Sequence, residues 1–197
     1  MGSKEDGRQP GAGWRFLIFR GELSVNRQAL QRLVELGIAV ALVVVLSNVR
    51  IYKLPQGGSI TAGSMVPIFY IALRWGAKWG ITAGIVAGIV NYIFDPFFTH
   101  PIQVLLDYPV AFGVLGLAGL FPGRPVLGII IGGAGRWLAH FVSGIVFFAQ
   151  FAPKGVSPVL YSALYNGSFM LPEVVISAVL TLLVLRAMQR IRPVQPA

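Results

Sequence analysis

Four ionisable side chains, Asp107, Arg136, His140 and Glu173, stand inside stretches otherwise apolar enough to cross a bilayer. A charge at that depth costs roughly 2.5–3.5 kcal/mol on insertion scales, so such residues mark a functional site by default. Asp107 sits within His100–Phe121, HPIQVLLDYPVAFGVLGLAGLF, with Tyr108 beside it. His140 belongs to an i,i+4 row of Gly132, Arg136, His140, Gly144 and Phe148, with a glycine gap next to the imidazole and an aromatic beyond it. Tyr161, Tyr165 and Asn166 follow in the last apolar stretch, and Tyr52, Phe97 and Phe98 add aromatics from two connections. A carboxylate among aromatic faces suits an organic cation, through charge pairing and cation–π contact. Histidine, asparagine and tyrosine supply directed hydrogen bonds to a heteroaromatic ring. An anionic ligand would ask for Lys or Arg, and Arg136 lies one turn deeper than His140. A small, flat, positively charged heterocycle fits this set of residues best. Plainer roles exist for some of them. Arg136 and Glu173 could pair across two helices, His140 could donate to a backbone carbonyl, and the tyrosines could belong to an interfacial belt.

The elements that must position these residues are membrane helices. Of 197 residues 55% are hydrophobic and only 12% charged, about half the charged fraction of a soluble domain. The absence of cysteine excludes disulfides and thiolate metal sites, and two histidines leave little for a histidine-based metal centre, so neither metal nor cofactor is expected. Leu33–Val49, Ile60–Leu73, Trp79–Phe94, Ile102–Leu120, Val126–Phe148 and Leu160–Met188 read as six spans, the second short and containing Pro67. The expected fold is therefore an all-α integral membrane protein, a six-helix bundle over residues 31–190, since helices satisfy the backbone in lipid and alternating strands are lacking. Residues 1–30 read as a flexible or interfacial extension, with MGSKEDGRQPGAG polar and Trp14–Phe19 aromatic among arginines; 191–197 form a tail.

The net charge of +9 comes largely from segments flanking the spans, which argues for membrane orientation and against nucleic acid. With six spans both termini share a side. Lys4, Arg8, Arg15, Arg20, Arg27, Arg32, Arg74, Lys78, Arg124, Arg186, Arg190 and Arg192 fall on it, against Arg50, Lys53 and Lys154 on the other. Both termini are thus expected in the cytoplasm. Gly80, Gly84 and Gly88 give the third span a small-residue face for internal packing or for a partner, and Gly37 with Ala41 makes a shorter pair on the first.

PIFYIALRWGAKWGITAG, HPIQVLLDYPVAFGVLGLAGLF, HFVSGIVFFAQFAPKG and SPVLYSALYNGS, in that order, resemble the thiamine transporter family, the thiamine-specific substrate-binding (S) components of energy-coupling factor (ECF) transporters. The resemblance covers most of residues 33–185. It implies six membrane helices in a bacterial cytoplasmic membrane and a deep outward site closed by the first loop. It also implies assembly with a transmembrane coupling (T) subunit and a pair of ATPases. Thiamine is the implied ligand. By motif position, Asp107 matches the acid expected to meet the thiazolium charge. Tyr108, His140, Tyr161 and Asn166 match polar binding positions, and Phe97 and Phe148 fall where relatives have Tyr and Trp. Some relatives place a tryptophan of the first loop over the ligand; Tyr52 is the nearest substitute here. Gly37 and Ala41 match the small-residue motif that docks on the coupling subunit.

No Walker-type GxxxxGK[ST] occurs, so an ATP-driven step belongs to partners, and the chain itself is expected to be a binding subunit rather than an enzyme. Other readings are an S component for a different vitamin, a stand-alone proton-coupled transporter of an organic cation, and an intramembrane enzyme pairing Asp107 with His140. The last lacks an accompanying nucleophile or metal constellation.

Overall fold

The computed structural model describes residues 26–191; the expected N-terminal extension, apart from its last few residues, and the C-terminal tail after Ile191 lie outside them. In order come α1 (Arg27–Asn48), a hairpin of β1 (Arg50–Lys53) and β2 (Ser59–Thr61), α2 (Val66–Trp75) and α3 (Ala77–Phe94). Then follow α4 (Pro101–Leu120), α5 (Pro125–Phe147) and α6 (Pro158–Ile191). All but α2 are long and apolar enough to cross a membrane, and their outward sides carry bare apolar residues such as Leu33, Val45, Ile93, Leu138 and Leu171. The chain is a multi-pass membrane protein.

Local sequence explains most boundaries. Asn26 caps α1 by accepting from the Gln28 and Ala29 N–H groups (3.0 and 3.4 Å). His100 caps α4 through Nδ1 (3.2 Å to the Ile102 nitrogen), and Pro101 and Pro125 open α4 and α5 where a missing N–H costs nothing. Asp95-Pro96 and Phe121-Pro122-Gly123 stop α3 and α4 as their composition requires.

The second span departs from expectation. Ile60 lies in β2, not in a helix, and α2 has only 10 residues, about 15 Å of rise against a core of about 30 Å. Pro67 does not kink a helix interior; it occupies the first turn of α2. The segment before α2 is a strand and then a turn at residues 62–65, so the six expected spans are five long helices and one short one, the second being shorter still than its sequence reading. The connection expected as a plain loop is an antiparallel hairpin pairing Tyr52 with Ile60 and Lys53 with Ser59, turning at Gly57 in the left-handed region (φ 90°).

The core lies between α2 and its neighbours: Met65, Ile68, Phe69, Phe112, Leu115, Ile129 and Met170 are buried together. At the end of the bundle bearing the termini, Glu35 of α1 pairs with Arg74 of α2 (2.9 Å) and accepts from Trp75 Nε1 (2.8 Å). The guanidinium of Arg32 lies 5.0 Å from the Trp75 ring centre.

The Gly80, Gly84, Gly88 face is an internal seam. A Cβ on Gly84 would sit 2.2 Å from the Phe112 carbonyl oxygen, one on Gly88 2.5 Å from that of Tyr108, and one on Gly80 2.9 Å from Gly116 Cα. Backbones of α3 and α4 therefore touch, as small-residue interfaces allow. Gly37 on α1 has open space around it. Gly84→Ala is expected to lower the melting temperature in detergent by several degrees, overpacking costing about 1–3 kcal/mol. Gly37→Ala should leave it unchanged or raise it slightly. A thermal shift assay of the two variants checks both, and equal melting temperatures would contradict the seam.

Candidate functional site

The middle of α4 is not regular helix. Pro109 lacks the N–H that would bond one turn back, and residues Leu106–Val110 widen into a π turn in which the Ala111 N–H reaches the Leu106 carbonyl. Asp107 and Tyr108 both lie in that turn. The remainder of α4 tightens to 3₁₀ over Val114–Leu120, rich in Gly and Ala.

Asp107 is held by three side chains. Gln103 Nε2 donates to Oδ2 at 2.7 Å, Ser143 Oγ to the same oxygen at 3.0 Å, and His140 Nδ1 lies 2.9 Å from Oδ1. Arg136 Nε lies 3.4 Å from His140 Nε2, so the imidazole accepts there and donates from Nδ1 to the carboxylate. With both ring nitrogens engaged, His140 has only its faces to offer a ligand. Phe169 meets it edge-on, centroids 5.9 Å apart.

These groups line one cavity at the hairpin end of the bundle. Its wall includes Asp107, Tyr108, His140, Phe97, Phe148, Tyr161 and Asn166, gathered from α4, α5, α6 and the α3–α4 connection. Phe97 and Phe148 stack, centroids 5.9 Å apart and planes 21° from parallel. Asn166 Nδ2 is committed to Ser162 and the His140 carbonyl (2.9–3.3 Å), while its Oδ1 takes no hydrogen bond among the described residues. Gln56, Gly57, Gly58 and Ser59 from the hairpin tip also line it, as do Arg50, Asp95, Arg136 and Glu173.

Three expectations change in detail. Tyr52 points away: it is 61% exposed on β1 and does not line the cavity, because strand alternation sends it to the opposite face from the tip residues. Tyr108 lines the cavity, but its hydroxyl is occupied by the turn after α3, donating to the Asp95 carbonyl and accepting from the Phe97 N–H, both at 2.9 Å. Arg136 and Glu173 make no ion pair within 4.0 Å. Arg136 lies over the Phe112 ring (4.1 Å) with Nη1 buried and unpartnered, and Glu173 bonds instead to Thr61 and Ser64.

Sequence reasoning passed over Gln103, Ser143 and Phe169. Gln103 is four residues before Asp107 and Ser143 three after His140, so the helical period that placed the histidine would also have placed them. The hairpin tip carried no such signal. Gly58 packs under Phe169 and donates from its N–H to Tyr165 Oη (3.2 Å), contacts made between residues far apart in the chain.

The cavity brings aromatic faces together with three carboxylates, Asp95, Asp107 and Glu173, in its lining. Arg50 and Arg136 line it as well, and no cluster of metal ligands occurs among the described residues. The sequence profile described as Thiamine transporter protein (Thia_YuaJ) matches residues 33–192. The thiamine transporter ThiT of Bacillus subtilis (strain 168) is 38% identical over 181 residues, covering 82% of this chain and 94% of that one. A second thiamine transporter ThiT, from Lacticaseibacillus paracasei, is 33% identical over 110 residues, 48% of this chain and 53% of its own. Among solved structures, ThiT from Listeria monocytogenes superposes with a TM-score of 0.75 at 25% identity, over 83% of this chain and 97% of that one. The chain belongs to the thiamine transporter protein family, whose role is transport rather than catalysis.

Proposed function

We propose that this protein binds thiamine from outside the cell and delivers it to an ATP-driven ECF uptake complex, as its S component. The observation that carries this reading is the Asp107–His140 pair in a cavity walled by stacked Phe97 and Phe148. Thiamine joins a permanently cationic thiazolium to an aminopyrimidine. The Asp107 carboxylate balances the first, and aromatic faces hold it by cation–π attraction. The free Oδ1 of Asn166 accepts from an exocyclic amine, and Tyr161 contributes its ring or hydroxyl. Tyr108 shapes the wall by fixing the turn that carries Phe97. The hairpin tip, rather than Tyr52, is the roof.

The α1 face bearing Gly37 and Ala41 is exposed and lacks packing within the chain, which suits it to docking on a transmembrane coupling subunit served by two ATPases. α1 starts and α6 ends at the same end of the bundle, where Tyr70 and Arg74 of α2 adjoin Leu185 and Gln189 of α6. The excess of Lys and Arg at that end argues for cytoplasmic termini in a bacterial cell membrane, with the cavity opening outward.

Asp107→Asn is expected to weaken thiamine binding by about 1–3 kcal/mol, the loss of a charge-assisted contact. Titration calorimetry of purified protein, with riboflavin and biotin as comparison ligands, measures it; unchanged affinity would remove Asp107 from the site. Gly37→Trp and Ala41→Trp should spare thiamine binding and abolish uptake by cells supplying the coupling module. Complex formation that survives either substitution would displace the docking surface from α1.

A further inference from the structure

Glu173 is a buried carboxylate at the edge of the same cavity that the ligand contacts above do not use. It is 2% exposed and lies roughly 22 Å along α6 from Pro158, at 1.5 Å per residue. Its oxygens accept from the Thr61 backbone N–H (2.5 Å), the Thr61 hydroxyl (2.5 Å) and the Ser64 hydroxyl (3.1 Å). Thr61 Oγ1 in turn accepts from the Ser64 N–H (3.0 Å), closing a compact knot. The donors belong to Thr61, the last residue of β2, and to Ser64 in the turn that joins β2 to α2, together the foot of the hairpin whose tip roofs the cavity.

One face of α6 meets the hairpin along its length. Tyr165, Phe169 and Glu173 follow at i, i+4 and i+8. Tyr165 Oη accepts from the Gly58 N–H at the tip, Phe169 packs on Gly58, and Glu173 takes the foot. The tip contacts are one neutral hydrogen bond and apolar packing. The foot contacts are three bonds to a carboxylate in a place sheltered from water, where such bonds are strongest and hardest to replace. On the far strand Arg50 pairs with Asp95 at the end of α3, but Asp95 is half exposed and that tie is open to solvent.

We propose that Glu173 is a positioning residue: it seats the hairpin over the cavity and thereby sets how long the ligand stays bound. The proposal rests on the reading of the cavity as the thiamine site and adds what governs release from it. Lifting the hairpin by its foot strips a buried carboxylate of its donors, so opening is slow while they are in place. A glutamine at this position keeps the shape, but has one acceptor oxygen and turns an amide NH₂ toward groups that are themselves donors.

Stopped-flow thiamine release by fluorescence, with the purified full chain in nanodiscs, tests this. Glu173→Gln should speed dissociation at least about tenfold, as loss of bonds to a charged acceptor predicts. Because the chain has no cysteine, Lys53→Cys and Lys154→Cys accept spin labels that report the hairpin's distance from the α5–α6 connection. Without thiamine, Glu173→Gln should broaden that distance distribution. Thr61→Val and Ser64→Ala should move both readouts in the same direction by less. Ser64→Ala should add little on top of Glu173→Gln, the mark of a shared interaction. An unchanged release rate would overturn the proposal. So would an affinity loss lying wholly in association with unaltered label distances, since Glu173 would then meet the ligand itself. If Glu173→Gln does not fold, the Thr61 and Ser64 variants decide by the same readouts. If the unsubstituted protein fails to bind thiamine, the functional reading falls, while the label distances still decide whether Glu173 seats the hairpin.

Discussion

Inside a bilayer no water is present to pair with backbone N–H and C=O groups, and this chain breaks a helix where that constraint is most severe. Between Asn48 and Val66 it runs as a two-stranded hairpin and then as a short turn before the 10-residue helix α2. Irregular backbone is tolerated at depth only when protein or a water-filled cavity surrounds it. In the hairpin and at its foot, backbone groups find partners within the chain. β1 and β2 satisfy each other, Ala62 donates to the Val49 carbonyl (3.0 Å), and Glu173 takes the Thr61 N–H. The cavity lies where the short α2 leaves the hairpin end of the bundle unfilled by helix, and the hairpin tip roofs the space.

Close approach elsewhere makes the arrangement affordable. The glycine seam brings α3 and α4 into backbone contact, drawing the π turn of α4 firmly against its neighbour at Gly88. Asp107 then projects toward α5, where His140 and Ser143 meet it. A buried carboxylate without partners would be prohibitive, and here Gln103, His140 and Ser143 share it. The same logic assigns Glu173 to Thr61 and Ser64. Two acids in one membrane bundle are thus handled by hydrogen bonds rather than by ion pairs, and Arg136 is held against an aromatic face.

Much was legible in the residues alone. Composition and the placement of basic residues identify a multi-pass membrane protein, since apolar runs near bilayer length have few other solutions. Five of six spans follow from hydropathy, and two of their ends from Asp95-Pro96 and Phe121-Pro122-Gly123. Asp107, His140, Asn166 and Phe148 were singled out because charged, amide and aromatic groups in apolar helices announce themselves one residue at a time, and Phe97 as an aromatic of a connection. The short blocks around DYP and HF…APKG carry the family.

Tertiary structure decided the rest, and the reason in each case is a contact between distant residues. Periodicity could not say whether the Gly80, Gly84, Gly88 face was a seam or a docking surface; the nearness of Phe112 and Tyr108 does. Opposite charges suggested Arg136 with Glu173, yet the foot of the hairpin offers Glu173 closer donors. Tyr52 was the aromatic of the first loop, but strand pairing turned it outward and left the roof to Gln56–Ser59, residues with no chemical signature of their own. Side-chain chemistry, a property of single positions, determined what kind of ligand the cavity suits. Which backbone reaches which carboxylate depends on how the helices close on one another, and only the folded chain decides that.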